Sequence, residues 1–164
     1  MSSSSLALPT RRRTMQLAAR LAELILPGDL VILKGDLGAG KTFFTRALAR
    51  ALGVPPSVSI TSPTFTLVHE IEARIPIAHA DLYRLNEPGE LAELGLRDRR
   101  GEGAALLVEW GEPYLEALGG DALVLELVIP RSGSGREARV SGTGPRGLAL
   151  ASALAGGSVV EPGP

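Results

Sequence analysis

Between residues 35 and 42 the chain reads Gly-Asp-Leu-Gly-Ala-Gly-Lys-Thr, with glycine at the first and sixth positions, lysine at the seventh and threonine at the eighth. This is the spacing of a phosphate-binding P-loop, and it demands a strand to deliver the loop and a helix to leave it. Glycines let backbone amides turn inward around a phosphate without Cβ clashes, and the helix N-terminus points its partial positive charge at the same anion. Lys41 then reaches the β and γ phosphates, and the Thr42 hydroxyl coordinates magnesium. The expected nucleotide contacts are Gly38, Ala39, Gly40, Lys41, Thr42 and Phe43. A tight glycine turn without a ligand is the bland alternative, and the flanks weigh against it. Residues 30–33, Leu-Val-Ile-Leu, form an unbroken apolar run suited to a strand buried on both faces. Residues 43–52 read as a helix that stops at Gly53 and the Pro55-Pro56 pair.

The remainder of the chain supports the same architecture. Leu17, Leu21, Leu24 and Ile25 recur at three-to-four spacing within residues 14–26, an amphipathic helix ended by Pro27-Gly28. Apolar runs at 75–80, 104–108 and 122–129 are strand candidates, and 137–140 followed by 146–154 reads as a short strand and a short helix. The predicted fold is α/β, a three-layer P-loop NTPase-like sheet with helices on both faces. Residues 1–9 read as a flexible serine-rich lead, 10–155 as one P-loop ATPase domain and 156–164 as a flexible Gly/Pro tail.

Composition closes off several function classes. A net charge of −1 gives no global field that would favour nucleic acid or a membrane surface. With no cysteine, disulfides, thiolate nucleophiles and cysteine-based metal sites are excluded. No apolar stretch approaches the roughly 20 residues of a membrane helix. The start lacks a basic segment ahead of an apolar one, so no secretory leader is expected and the cytoplasm is the expected location.

An ATPase also needs acids near the metal and near the attacking water. Asp81 and Glu109 each end an apolar strand candidate, where ligands gather in open α/β sheets, although either alone could be a surface acid in a turn. The polar segment 61–65, with Ser62 and Thr64, is placed to fold over a γ phosphate as a switch loop; a turn imposed by Pro63 is the plain alternative. His69 and His79 read as structural rather than catalytic. Trp110 reads equally as a core anchor or a flat contact surface, and Arg11 to Arg13 as a solvated helix start.

Four segments together resemble the TsaE-type ATPases of bacterial tRNA threonylcarbamoyladenosine biosynthesis: GDLGAGKT at 35–42, TSPTFTLV at 61–68, HADLYRL at 79–85 and LLVEW at 106–110. The P-loop is widespread, whereas the other three in this order are far more specific. The resemblance implies an ATPase that uses ATP and Mg2+ and works with the two other proteins of a tRNA threonylcarbamoyl-transfer complex, meeting tRNA through that complex. Position by position, it implies that Lys41 binds phosphate, Thr42 and Glu109 ligate magnesium, and Asp81, also near the metal, bears on hydrolysis. It places Ser62 and Thr64 in a mobile loop, and Thr14 and Arg136 beside the adenine. One departure is the run Arg11 to Arg13, where the family often carries acids ahead of the threonine.

Two other readings share the P-loop. A small-molecule kinase would need an arginine-rich lid, for which only the short cluster Arg97, Arg99 and Arg100 is available. A switch module would hold nucleotide and turn it over little. A GTPase is disfavoured because no Asn-Lys-x-Asp sequence occurs to read guanine.

Overall fold

The structure is a computed structural model and describes residues 3–156. Strand β1 (Ser4–Leu8) is followed by helix α1 (Arg11–Leu24), strand β2 (Leu30–Lys34) and helix α2 (Lys41–Ala51). Strands β3 (Val68–Ile71) and β4 (Ile77–Asp81) come next, then the short helices α3 (Pro88–Glu93) and α4 (Leu96–Gly101) and strand β5 (Ala105–Glu109). A 3-10 turn at Glu112–Tyr114 leads to β6 (Ala122–Val128), β7 (Arg136–Gly142) and helix α5 (Gly144–Gly156). The strands form one mixed sheet in the order β1-β7-β6-β2-β5-β4-β3. Its centre, β6-β2-β5-β4, is parallel.

Successive residues of a strand point to opposite faces, so a strand covered on both sides reads as continuously apolar. In β2, Val31 and Leu33 join the core beneath α1, α2 and α5, while Leu30 and Ile32 join the core that includes Leu91 of α3 and Leu96 of α4. This is the three-layer α/β arrangement expected from the sequence, with long helices on one face and six-residue helices on the other. Helix α1 starts where the Thr10 side chain accepts from the Arg13 amide at 3.2 Å. Its Leu17, Ala18, Leu21 and Ala22 form the buried stripe, each leucine contributing roughly 1.5–3 kcal/mol of burial. After the helix, Gly28 takes a φ of 85°. The buried Asp29 accepts from the Leu26 amide at 2.7 Å and from two guanidinium nitrogens of Arg146 at 2.9 and 2.7 Å, tying α5 to the base of β2.

The expected flexible lead needs correction, and β3, α3 and α4 have no counterpart among the expectations. Residues 4–8 of the expected flexible lead are a sheet strand: β1 pairs antiparallel with β7, from Ser4 opposite Val140 to Leu8 opposite Arg136. Main-chain pairing does not depend on serine content, and the alternate residues Leu6 and Leu8 pack on the core. The end of the segment 61–71 also contributes a strand, β3, paired antiparallel with β4. Helices α3 and α4 arise in a stretch with no legible helical period, because each is under two turns long. Of the expected tail, Gly156 closes α5 and residues 157–164 lie outside the described residues.

Helix α5 sits against β6 through Gly147, where an added Cβ would lie 2.1 Å from the Ala122 carbonyl oxygen. Gly147→Ala is therefore expected to push α5 off the sheet and to cost about 1–3 kcal/mol in urea unfolding. Gly89→Ala, with nothing within 4 Å of its added Cβ, is the control and should leave stability unchanged or slightly raised.

Candidate functional site

The P-loop leaves the end of β2 and closes on the first residue of α2, as the motif requires. Gly38 and Gly40 have φ of 83° and 108°, and a Cβ at either would meet open space, so glycine serves backbone conformation there rather than room. At Gly35 an added Cβ would stand 2.9 Å from the Leu127 carbonyl oxygen, so this end of the loop packs directly on β6. No side chain caps α2 at Gly40, and the first-turn amides of a helix have no intrahelical acceptor. They are free to hold an anion.

Arg136 braces the loop from behind. Its Nε donates to the Ala39 carbonyl at 3.1 Å and its Nη2 to the Gly38 carbonyl at 3.1 Å. Between these carbonyls the Ala39 amide donates to the Asp36 carbonyl at 3.0 Å, so the loop is closed on itself as well as braced. Arg136 also lines a cleft of about 300 Å³ together with Thr14, Thr10, Arg11 and Phe43. Thr14 is buried there, and the Arg11 guanidinium stacks 5.6 Å above the Phe43 ring. The arginine run is thus more than a solvated helix start, since its first member forms a wall of this cleft.

On the other side of the P-loop lies a larger cleft of about 670 Å³, and it gathers most of the predicted site. Lys41, Thr42, Ser62, Thr64, Asp81 and Glu109 all line it. Parallel pairing explains the meeting of the two acids: Asp81 and Glu109 are register partners at the last residues of β4 and β5, and Leu33 of β2 pairs with Glu109. Both carboxylates are buried. Glu109 Oε1 lies 3.6 Å from Lys41 Nζ, and its Oε2 lies 2.8 Å from His79 Nε2. Asp81 Oδ1 accepts from the Tyr83 amide at 3.0 Å, which pins that carboxylate at the strand end. In the 61–67 segment, Thr64 Oγ1 donates to Ser62 Oγ at 3.3 Å. Leu67 anchors the segment, its amide bonding to the Pro63 carbonyl and its carbonyl accepting from the Asp81 amide, both at 2.9 Å.

Two residues beside this cleft hold backbone conformations uncommon outside glycine: Leu67 with φ 66° and Trp110 with φ 59°. Trp110 follows Glu109 directly, and its ring lies 4.9 Å from Lys41 Nζ and 5.0 Å from the Tyr83 ring. The ring is part exposed, so it forms a wall of the cleft rather than a core anchor. Sequence reasoning missed Tyr83 as a wall of the cleft, and it read His79 as structural only. The available signal for His79 was strand alternation, which puts residues 79 and 81 on one face.

The oxygen donors fit a hard divalent cation. Two carboxylates and a threonine hydroxyl line one cleft, and among the described residues no group of three or more His, Asp or Glu forms a complete metal cage. Magnesium is characteristically held this way, by one or two carboxylates plus phosphate oxygens and water.

A sequence model of the family described as threonylcarbamoyl adenosine biosynthesis protein TsaE matches residues 8–138, a span that includes the P-loop, the 61–67 segment and both acids. The protein named tRNA threonylcarbamoyladenosine biosynthesis protein TsaE in Streptomyces coelicolor is 42% identical over 149 residues, 86% of this chain and 99% of that protein. Its namesake in Rickettsia conorii is 43% identical over 106 residues, 64% of this chain, and the chain spans 59% of that relative's length. The crystal structure of Bacillus subtilis YdiB superposes with a TM-score of 0.74 at 29% identity, covering 93% of this chain and 94% of that one. Since the family match runs from the end of β1 into β7, across every element that builds the two clefts, the chain belongs to the TsaE family of threonylcarbamoyl adenosine biosynthesis proteins.

Proposed function

We propose that the chain is a magnesium-dependent ATPase that, with partner proteins, supports formation of the threonylcarbamoyl group on the tRNA adenosine adjacent to the anticodon. The observation that carries this reading is the convergence of Lys41, Thr42, Asp81 and Glu109 in one cleft beside the P-loop amides. In this reading the amides of Gly38 and of residues 40–43, together with the Lys41 ammonium, hold the phosphates, with Lys41 leaving Glu109 to do so, while the Ala39 amide stays on the Asp36 carbonyl. Thr42, Glu109 and Asp81 supply oxygens to the metal. Magnesium, when bound, neutralises charge that develops on the β and γ phosphates. Asp81, pinned through one oxygen, presents the other toward water attacking the γ phosphorus. The new bond joins the water oxygen to the γ phosphorus, and the bond from that phosphorus to the β–γ bridging oxygen breaks. The water's proton passes to Asp81 and on to phosphate or solvent, and ADP and phosphate leave. Thr14 and Arg136 border the smaller cleft, where the base would lie, and Ser62 and Thr64 form the loop that senses the γ phosphate.

Dependence on partners is supported by the rim of the larger cleft. Leu37 and Tyr83 line it while 98% and 68% exposed, apolar surface that a second protein would cover. The names of the relatives support a place in tRNA threonylcarbamoyladenosine biosynthesis; work with the two other proteins of a transfer complex, contact with tRNA through them and a cytoplasmic location belong to the same proposed reading. No helix among the described residues is long and apolar enough to cross a membrane. The kinase reading loses its candidate lid, because Arg99 pairs with Glu70 at 2.5 Å and Arg100 donates to the carbonyls of Gly28, Leu118 and Gly120 at 2.8 to 2.9 Å.

ATP turnover by the wild type, measured alone and with the two partner proteins plus tRNA, is expected to rise in the complete mixture. Lys41→Ala should remove that stimulation by at least about 100-fold, and modified tRNA should form only with the wild type. Partner-independent turnover with no effect on tRNA would sink the pathway assignment. Asp81→Asn is expected to lower stimulated hydrolysis by roughly 100-fold or more even at saturating nucleotide and magnesium; undiminished hydrolysis would remove Asp81 from the mechanism.

A further inference from the structure

His79 lies in the middle of β4, with no exposed surface, two residues before Asp81 and on the same face. Its Nε2 is 2.8 Å from Glu109 Oε2, and its Nδ1 is buried without a hydrogen-bond partner among the described residues. An ionised carboxylate only accepts, so the hydrogen between these groups belongs to Nε2. A hydrogen on Nδ1 would be a buried donor with no acceptor, at a cost of about 1–3 kcal/mol. The geometry therefore selects the tautomer that donates to Glu109.

The two contacts of Glu109 are unequal. Lys41 Nζ is 3.6 Å away on a flexible side chain, beyond the ~2.7–2.9 Å of a strong charge-assisted hydrogen bond. The imidazole is short, fully enclosed and fixed to the neighbouring strand. When Lys41 turns to a phosphate, the imidazole contact alone, among the described residues, remains to hold the carboxylate. We propose that His79 is a positioning residue whose Nε2–H grips Glu109 Oε2, keeping Oε1 aimed at the phosphate cradle as Lys41 leaves it. This deepens the proposed function and rests on Glu109 being a magnesium-bearing carboxylate. A histidine that merely fills space between β4 and β5 would be replaceable by an apolar side chain of similar size, with no effect on metal requirement.

The test uses three substitutions in the full chain. His79→Leu keeps most of the volume and removes the donor, His79→Gln returns an amide N–H near the Nε2 position, and His79→Asn offers an amide too short to reach Glu109. Trp110, the single tryptophan, lies beside Lys41 and reports binding of a β,γ-imido ATP analogue by its fluorescence as magnesium chloride is titrated. The magnesium concentration for half-maximal binding is expected to rise about tenfold in His79→Leu and His79→Asn, the loss typical when a ligand's outer partner is removed. His79→Gln should recover most of that loss, and melting curves should show each variant folded. Long-range proton–nitrogen spectra of the wild type should find His79 protonated at Nε2 and not at Nδ1. The proposal is overturned by a folded Leu or Asn variant with an unchanged magnesium requirement, by a Gln variant as impaired as these, or by a proton found on Nδ1. A wild type that binds the analogue with magnesium yet hydrolyses no ATP with partners present would overturn the ATPase reading instead, and the magnesium shift would still decide the role of His79.

Discussion

Parallel pairing of β2, β5 and β4 brings the phosphate loop and both acids to one end of the sheet, at the larger cleft. Leu33 stands opposite Glu109 and Glu109 opposite Asp81, so the strand that launches the P-loop and the two strands that carry the acids end at one level. A shift of one residue in either ladder would turn its acid to the opposite face, because side chains alternate along a strand. Burial on both faces prevents such a shift: Val31, Leu33 and Leu107 belong to one core, and Leu30, Ile32, Leu106 and Val108 to the other. The apolar packing of the middle strands is thus what holds the carboxylates in register with the phosphate loop.

Around that frame the loops are held in conformations that cost energy locally. Leu67 and Trp110 occupy the left-handed region, at a penalty of roughly 1–2 kcal/mol each for residues with a Cβ. Both lie next to strand ends that carry an acid, and Leu67 is bonded through its carbonyl to the Asp81 amide. Gly111, directly after Trp110, has no room for a Cβ, which would stand 2.8 Å from both Ile32 and Val108 side chains. The turn after β5 is therefore pressed against the second core, and that contact orients Trp110 over Lys41. Arg136 does the equivalent for the P-loop by bonding to two of its carbonyls. Backbone strain and a bracing guanidinium fix the walls of the cleft, and fixed dipoles act most strongly on charge.

Much of the architecture could be read from local pattern. Continuous apolar runs located β2, β4, β5 and β6 to within two residues, because strands buried on both faces have no polar alternation to confuse them. The helical stripe of α1 and the strand-loop-helix frame of the P-loop were equally plain. Edge elements were not. β1 draws its place from main-chain bonds to β7, and β3 from pairing to β4, neither of which leaves a strong side-chain signature. Helices α3 and α4 owe their existence to Leu91 and Leu96 covering the second face of the sheet.

At the site the division falls between chemistry and proximity. The residue types and spacing of positions 35–42, with acids at the ends of apolar runs, were enough to name a phosphate loop and its candidate metal ligands, since those requirements are local and chemical. That His79 touches Glu109, that Arg136 grips the P-loop carbonyls and that Trp110 stands over Lys41 depend on residues up to 98 positions apart meeting in space. Such contacts follow from strand order and register, and the physical reason they escape a linear reading is that cooperative packing of the whole sheet fixes both. One-dimensional pattern records which face a side chain prefers; only the closed core decides which other side chain waits there.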